Sequence, residues 1–206
     1  MSDVAMLGDS GFELVEGQFY PTPPEYVDCL VAFFRVAEPG GIWEPACGEG
    51  HISIRLTEHG ALVVSTDLYD RGFGVSGVDF LASNPKSIAP GYRGPKTIVT
   101  NPPYGDLAAQ FIRKALELME RCSGRVALFL RNEFDCRKNQ ALFSKHPAYA
   151  GKVVVTKRPR WIAGSKGSPR HNYAWYIWDF GRDPQSDQFI KYIHPSEAPS
   201  PRALAA

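Results

Sequence analysis

The 206-residue chain carries 23 Lys and Arg against 22 Asp and Glu, a formal charge of +1, so no global field points to a nucleic acid or a membrane surface. Its four cysteines, Cys29, Cys47, Cys122 and Cys136, show no C-x-x-C spacing and no histidine cluster, which leaves no basis for a zinc site or a disulfide framework. No basic-then-apolar leader follows Met1 and no apolar run reaches the length of a membrane span. The expectation is a soluble, cytoplasmic protein with one full-sized core.

Residues 1–18 have little pattern and read as an N-terminal extension. Tyr20-Pro21-Thr22-Pro23-Pro24-Glu25 then leads into the apolar stretch from Tyr26 to Phe34. Thr22 is a natural N-cap, Pro23 suits the first helical position and Glu25 completes a capping box. This helix is expected to end near Pro39-Gly40-Gly41. Gly41-Ile42-Trp43 starts a strand that breaks into Glu44-Pro45-Ala46-Cys47-Gly48-Glu49-Gly50, and a helix is expected from His51 to His59 with Ile52, Ile54 and Leu56 inward. Glycines at a strand-to-helix turn let the backbone approach a ligand closely. The turn is no phosphate loop, since it lacks both the Gly-Lys-Ser/Thr ending and the three-glycine dinucleotide spacing.

Ala61 to Thr66 reads as a second buried strand ending at Asp67. A carboxylate about 20 residues past the glycine turn can accept bonds from both ribose hydroxyls, although a solvated loop acid has the same local sequence. Gly77-Val78-Asp79-Phe80-Leu81 offers an acid beside an aromatic ring, and residues 82–95 are loop-like.

The third apolar run, Thr97-Ile98-Val99-Thr100, ends in Asn101-Pro102-Pro103-Tyr104. Two prolines fix φ and remove two backbone donors, so the chain leaves the strand as a stiff turn. Asn101 then stands at a strand's carboxyl end, the ligand side of an open α/β sheet. A carboxamide acceptor, bare carbonyls and an aromatic plate together suit a planar amine. Apolar residues recur at helical spacing from Leu107 to Met119, and a buried strand follows at 125–131. Next come a helix near 136–144, a strand at 153–156 and a long aromatic strand at 172–180. No helix separates the last two, which fits an antiparallel strand on an otherwise parallel sheet. Residues 181–206 accumulate Pro, Ser and Ala and are expected to be a flexible tail.

Between 151 and 178 lie Lys152, Lys157, Arg158, Arg160, Lys166 and Arg170 and no acid, leaving the rest of the chain net acidic. Within 157–172, Lys157, Arg158, Arg160, Lys166 and Arg170 can neutralise phosphates and Trp161 can stack on an unpaired base. A solvated basic hairpin would look the same.

Asn-Pro-Pro-Tyr resembles the catalytic motif of amino-methyltransferases that use S-adenosylmethionine, above all the N6-adenine DNA methyltransferases. Glu-Pro-Ala-Cys-Gly-Glu-Gly resembles the cofactor loop of the same group, and Thr-Pro-Pro-Glu the segment before it. The resemblance implies a doubly wound, mostly parallel, seven-stranded Rossmann-like sheet with an antiparallel last strand, over residues 19–180. It implies that Asn101, Pro102 and Tyr104 handle a flipped adenine. It further implies that Tyr20, Thr22, Glu44, Ala46, Gly48, Gly50, Asp67, Asp79, Phe80 and Asn101 surround S-adenosylmethionine, with no metal. DNA is the expected partner, ahead of RNA. The same tetrapeptide also serves methyltransferases of ribosomal RNA and of glutamine amides, and a nucleic-acid binder without activity is a third class. A separate target-recognition domain has no room in this chain, so recognition falls to residues 157–172 and smaller loops.

Overall fold

The computed structural model describes residues 20–83, 94–161 and 171–201. The expected extension 1–18, most of the loop 82–95 and the end of the tail lie outside the described residues. Seven strands form one sheet in the order β2-β1-β3-β4-β6-β5-β7. They are β1 (Ile42–Glu44), β2 (Val63–Ser65), β3 (Thr97–Thr100), β4 (Arg125–Arg131), β5 (Tyr149–Val155), β6 (Tyr173–Asp179) and β7 (Phe189–Ile193). The aromatic strand β6 runs antiparallel to both its neighbours, β4 and β5, while every other pairing is parallel.

Both faces of the sheet are covered, which is why its central strands read as unbroken apolar runs. One face packs on α1 (Pro24–Val31) and α2 (His51–Glu58), through Tyr26, Leu30, Ile52 and Leu56 against Val99, Phe129 and Trp175. The other packs on α3 (Asp106–Glu120), through Phe111, Ile112 and Ala115 against Ile98, Leu128 and Trp178. Helices on opposite faces of a mostly parallel sheet make the doubly wound architecture, whose ligands lie beyond the carboxyl ends of the strands.

Several local expectations are corrected. The N-cap of α1 is Pro23, not Thr22, and no side chain caps it; the Thr22 hydroxyl instead accepts a bond from Asn101. That helix stops at Val31, and the chain turns so that Phe34 and Val36 enter the core. Ile54 points outward at 48% exposure while Ile52 and Leu56, one helical turn apart, are buried. The helix expected near 136–144 is a short 3₁₀ turn, Arg137–Leu142. Its last carbonyl is taken by the Trp178 indole N–H at 2.7 Å.

The largest correction concerns residues 181–206. This stretch, expected to be a flexible tail outside the domain, supplies β7, which pairs parallel with β5 along Gly151 to Val155. Gly151 permits that approach: a Cβ there would stand 2.1 Å from the Phe189 carbonyl oxygen. The seventh strand of the sheet therefore lies beyond the expected domain boundary at 180.

An ion cluster fixes the two helices on the first face. Arg55 grips both oxygens of the buried Asp28 carboxylate at 2.8 and 2.7 Å, and His59 Nε2 meets it at 2.7 Å. α1 is thereby held against the helix that follows the glycine turn.

Candidate active site

Three polar residues stand where β1, β2 and β3 end: Glu44, Asp67 and Asn101. They line one cavity of about 440 Å³, a size suited to a small-molecule ligand. Tyr20, Thr22, Ala46, Asp79, Phe80, Pro102 and Tyr104 also line it. The structure thus gathers eight of the ten expected cofactor residues and all three expected catalytic ones around one space. Gly48 and Gly50 do not face it. They shape the turn behind it, with φ of 54° and 86°, and a Cβ on Gly50 would lie 2.5 Å from the Phe73 ring.

The Asn101 amide is oriented by chemistry. Its Nδ2 donates to the Tyr20 carbonyl at 3.2 Å and to the Thr22 hydroxyl at 3.1 Å. A carbonyl can only accept, so the NH₂ must face Tyr20 and Oδ1 must face away. That oxygen is buried and has no hydrogen-bond partner among the described residues. An acceptor is thus held rigidly by two bonds and left open.

Glu44 is 1% exposed. Burial pushes its carboxyl up to about 8, against the lowering effect of a short hydrogen bond from Ser53. Ser53 in turn meets the Ser65 hydroxyl at 2.6 Å, tying β1, α2 and β2 together. Burial also pushes the Cys47 thiol up to about 12, with Glu44 and Asp67 adding to the rise, so this cysteine stays a neutral wall. Asp67 accepts the Gly48 and Tyr69 backbone N–H groups at 2.8 and 2.9 Å. Each carboxylate oxygen keeps a further lone pair for another donor.

Phe80 is 2% exposed and packs on Trp43 and Phe111, with ring centroids 5.2 and 4.8 Å away. It serves as floor and as core at once. Asp79 is exposed and accepts the Leu81 N–H at 2.8 Å. Tyr104 stands in an aromatic nest: Tyr20 is 5.0 Å away, Tyr173 6.3 Å and Trp161 6.5 Å. Its hydroxyl is buried, with the side chains of Tyr173 and Asn101 beside it. Burial, and then Tyr173 beside it, raise the phenol well above the ordinary tyrosine range.

The expected nucleic-acid residues stand apart from the cavity lining. Lys157 pairs with Glu25 at 3.7 Å and Arg158 donates to the Asn172 side chain at 2.9 Å. Arg160 is exposed, whereas Lys166 and Arg170 lie outside the described residues. Trp161 is half-buried beside Tyr104, not out along the basic segment. Sequence reasoning missed His51, Tyr69, Arg71, Leu107 and Phe111 in the lining, which no motif marks.

No family model matches the sequence, and no curated protein matches it. Solved structures do. A methyltransferase subunit of a type I restriction-modification system from Streptococcus thermophilus is 11% identical, with a TM-score of 0.61 over 86% of this chain and 48% of its own. A chain described as a class I S-adenosylmethionine-dependent methyltransferase from Listeria monocytogenes is 12% identical, with a TM-score of 0.60 over 94% and 71%. The protein of a DrdV–DNA complex is 15% identical, with a TM-score of 0.59 over 92% and 29%. The fold is that of Rossmann-like methyltransferases. This chain spans about half the length of the type I subunits that it matches. Among the described residues no helix is long and apolar enough to cross a membrane, and no cluster of His, Cys, Asp and Glu could hold a metal ion.

Proposed function

We propose that the chain is an S-adenosylmethionine-dependent amino-methyltransferase acting on the exocyclic N6 amine of an adenine extruded from DNA. The observation that carries this reading is the open Asn101 Oδ1, oriented by Tyr20 and Thr22 and buried without a partner. A buried acceptor without a donor is costly to keep, and an incoming N–H relieves that cost.

The donor set fits the cofactor. Asp67 has lone pairs left for ribose hydroxyls, and Glu44 is an acid placed to meet an ammonium group. Phe80 and the Tyr69 region offer apolar surface to a purine. When bound, S-adenosylmethionine supplies a methyl group already activated on a sulfonium. The chain's own residues then orient the acceptor. An aryl amine is a weak nucleophile because its lone pair is delocalised into the ring. Asn101 Oδ1 and the Pro102 carbonyl would accept hydrogen bonds from its two N–H groups and draw the nitrogen toward tetrahedral geometry. As the N–CH3 bond forms and the S–CH3 bond breaks, one of those protons would be lost and a neutral thioether left. This is positioning with electrostatic stabilisation, and it needs no covalent intermediate. The Tyr104 ring would take the base face, offsetting the few kcal/mol that extrusion from a duplex costs.

DNA is favoured by the acid-free stretch 151–178. The restriction-modification methyltransferases among proteins of the same fold, and one fold neighbour solved as a DNA complex, support it too. The test offers labelled cofactor together with duplex DNA, RNA and a glutamine peptide in parallel, and digests the product. N6-methyladenine from DNA is expected; methylcytosine, or label only in RNA or peptide, overturns the assignment.

A further inference from the structure

We infer that Arg131 is a substrate-reading group. Its buried Nε–H would donate to the acceptor atom beside the reacting amine, which in an adenine is the ring nitrogen adjacent to the N6-bearing carbon. The inference rests on the reading of Asn101 as the group that takes the amine itself.

Arg131 is the last residue of β4, the strand paired in parallel with β3, whose end carries Asn101. Its guanidinium carbon lies 5.9 Å from the centroid of the Tyr104 ring, and its positive charge acts on the Tyr104 hydroxyl. The backbone here is pinned from several sides. The Arg131 carbonyl accepts the Tyr176 hydroxyl at 3.1 Å and the Phe134 N–H at 3.0 Å. The Asn132 carbonyl takes the same hydroxyl at 2.6 Å and Lys152 Nζ at 3.1 Å, while the Asn132 N–H donates to the Asn172 carbonyl at 2.9 Å. For all this fastening, Arg131 Nε is buried with no hydrogen-bond partner among the described residues.

Beside the Tyr104 ring two buried polar atoms therefore stand open, Asn101 Oδ1 on the cavity lining and Arg131 Nε behind it. The first can only accept and the second can only donate. An amine with an acceptor on the neighbouring atom answers that pattern, offering N–H to Asn101 and a lone pair to Arg131. An alkyl ammonium would leave Arg131 unpaired and place two cations close together. A phosphate contact would use arginine as well, but backbone phosphates ride at the mouth of a site, whereas this Nε is buried beside the ring that would stack the base. A charge-assisted bond in such surroundings is strong and directional.

The test compares wild type with Arg131→Met and Arg131→Lys, on duplexes carrying at the mapped target either adenine or 1-deazaadenine, which has C–H in place of the ring nitrogen. Arg131→Met is expected to lower kcat/KM on adenine roughly 10- to 100-fold, the effect of removing one charge-assisted hydrogen bond. Cofactor affinity should be unchanged. 1-Deazaadenine should cost wild type a similar factor and cost Arg131→Met nothing further. Nε has no partner to lose and the guanidinium gives up its place over the Tyr104 ring, so Arg131→Met should melt close to the wild-type temperature. A clearly lower melting temperature would make Arg131 a structural residue and overturn the inference. So would equal losses on both bases with a salt slope reduced by about one, the mark of a phosphate-binding arginine. A wild type that labels RNA or a glutamine peptide and not DNA sinks the DNA reading alone. The variant ratio is then read on that substrate, which also has an acceptor beside its amine, and an unchanged ratio overturns the Arg131 role. The melting comparison needs no substrate at all.

Discussion

Asp67 Oδ2 accepts the backbone N–H of Gly48 at 2.8 Å, so the acid at the tip of β2 is bonded to the glycine turn beyond β1. The other oxygen holds the Tyr69 N–H at 2.9 Å. Asp67 therefore builds the rim of the cavity as well as facing it, and its removal should act twice. Asp67→Ala is expected to weaken S-adenosylmethionine binding by about 1–3 kcal/mol and to lower the melting temperature, because two backbone donors lose their acceptor. Asp67→Asn, which keeps one carbonyl oxygen, should fall between. Calorimetry and thermal melts check this, and a folded Asp67→Ala protein with wild-type affinity removes the residue from the site.

Asn101→Ala separates binding from transfer. Cofactor affinity should stay nearly intact, while the single-turnover rate falls on the order of 10²-fold or more, as when one preorganised polar group is lost. Thr22→Val probes the same bond from the other side. It deletes the hydroxyl that accepts Asn101 Nδ2 at 3.1 Å and should slow transfer less, since the Tyr20 carbonyl still orients the amide. A wild-type rate for Asn101→Ala would end the amine-positioning role.

Glu44 predicts a pH dependence whose sign is fixed. Its carboxyl is pushed up to about 8 in the fold from an ordinary value of 4.5, chiefly by burial. Between those values the folded chain binds the extra proton. This contribution to stability is full below the lower value and is lost as pH rises through the upper one. Melts from about pH 6 to about pH 9 should show falling stability in the free protein, and Glu44→Gln should flatten the slope. An ammonium group beside Glu44 favours the ionised form, so cofactor binding is expected to release a proton. Calorimetry in two buffers of different ionisation heat reads that release, and equal heats would remove Glu44 from the ammonium end.

Replacing Lys157, Arg158 and Arg160 together with Ala should weaken DNA binding and flatten its salt dependence, by up to about 0.9 log units per log salt for each duplex phosphate that is no longer neutralised. Lys157 gives up a 3.7 Å pair with Glu25 and Arg158 a 2.9 Å bond to the Asn172 side chain, both at the surface, where such contacts contribute little to stability. An unchanged salt slope would make the segment an ordinary solvated surface.

The residues that face the cavity from the strand ends were legible for a physical reason. Glu44 and Asn101 close runs buried enough to read as strands, each with a proline marking where the chain leaves the sheet, whereas β2 is only half-buried and Asp67 was legible from its distance past the glycine turn. Thr22 misled because its local sequence is a good cap while its hydroxyl is claimed by Asn101, 79 positions away, a tertiary bond that no window can see. Arg131 was invisible for a related reason: a charged residue closing an apolar run usually points to solvent. β7 escaped because Phe189-Ile190-Lys191-Tyr192-Ile193 is an edge strand with Ile190 and Tyr192 more than half exposed, so its apolar residues mark no single buried face.

The parallel seating of β7 on β5 has a consequence for biosynthesis. β6 must slot between β4 and β5 before the sheet is complete, and β7 then closes the far side of β5 from 38 residues downstream, where Gly151 meets Phe189. Such a distant pairing is slow to form. Until it does, the Val153-Val154-Val155 edge is a bare, apolar template for other nascent chains. The stretch that composition marks as a flexible tail would thus work as a seal against misassembly. A gene cut after Asp179 would keep every residue that lines the cavity and is expected to deliver most of its product to inclusion bodies.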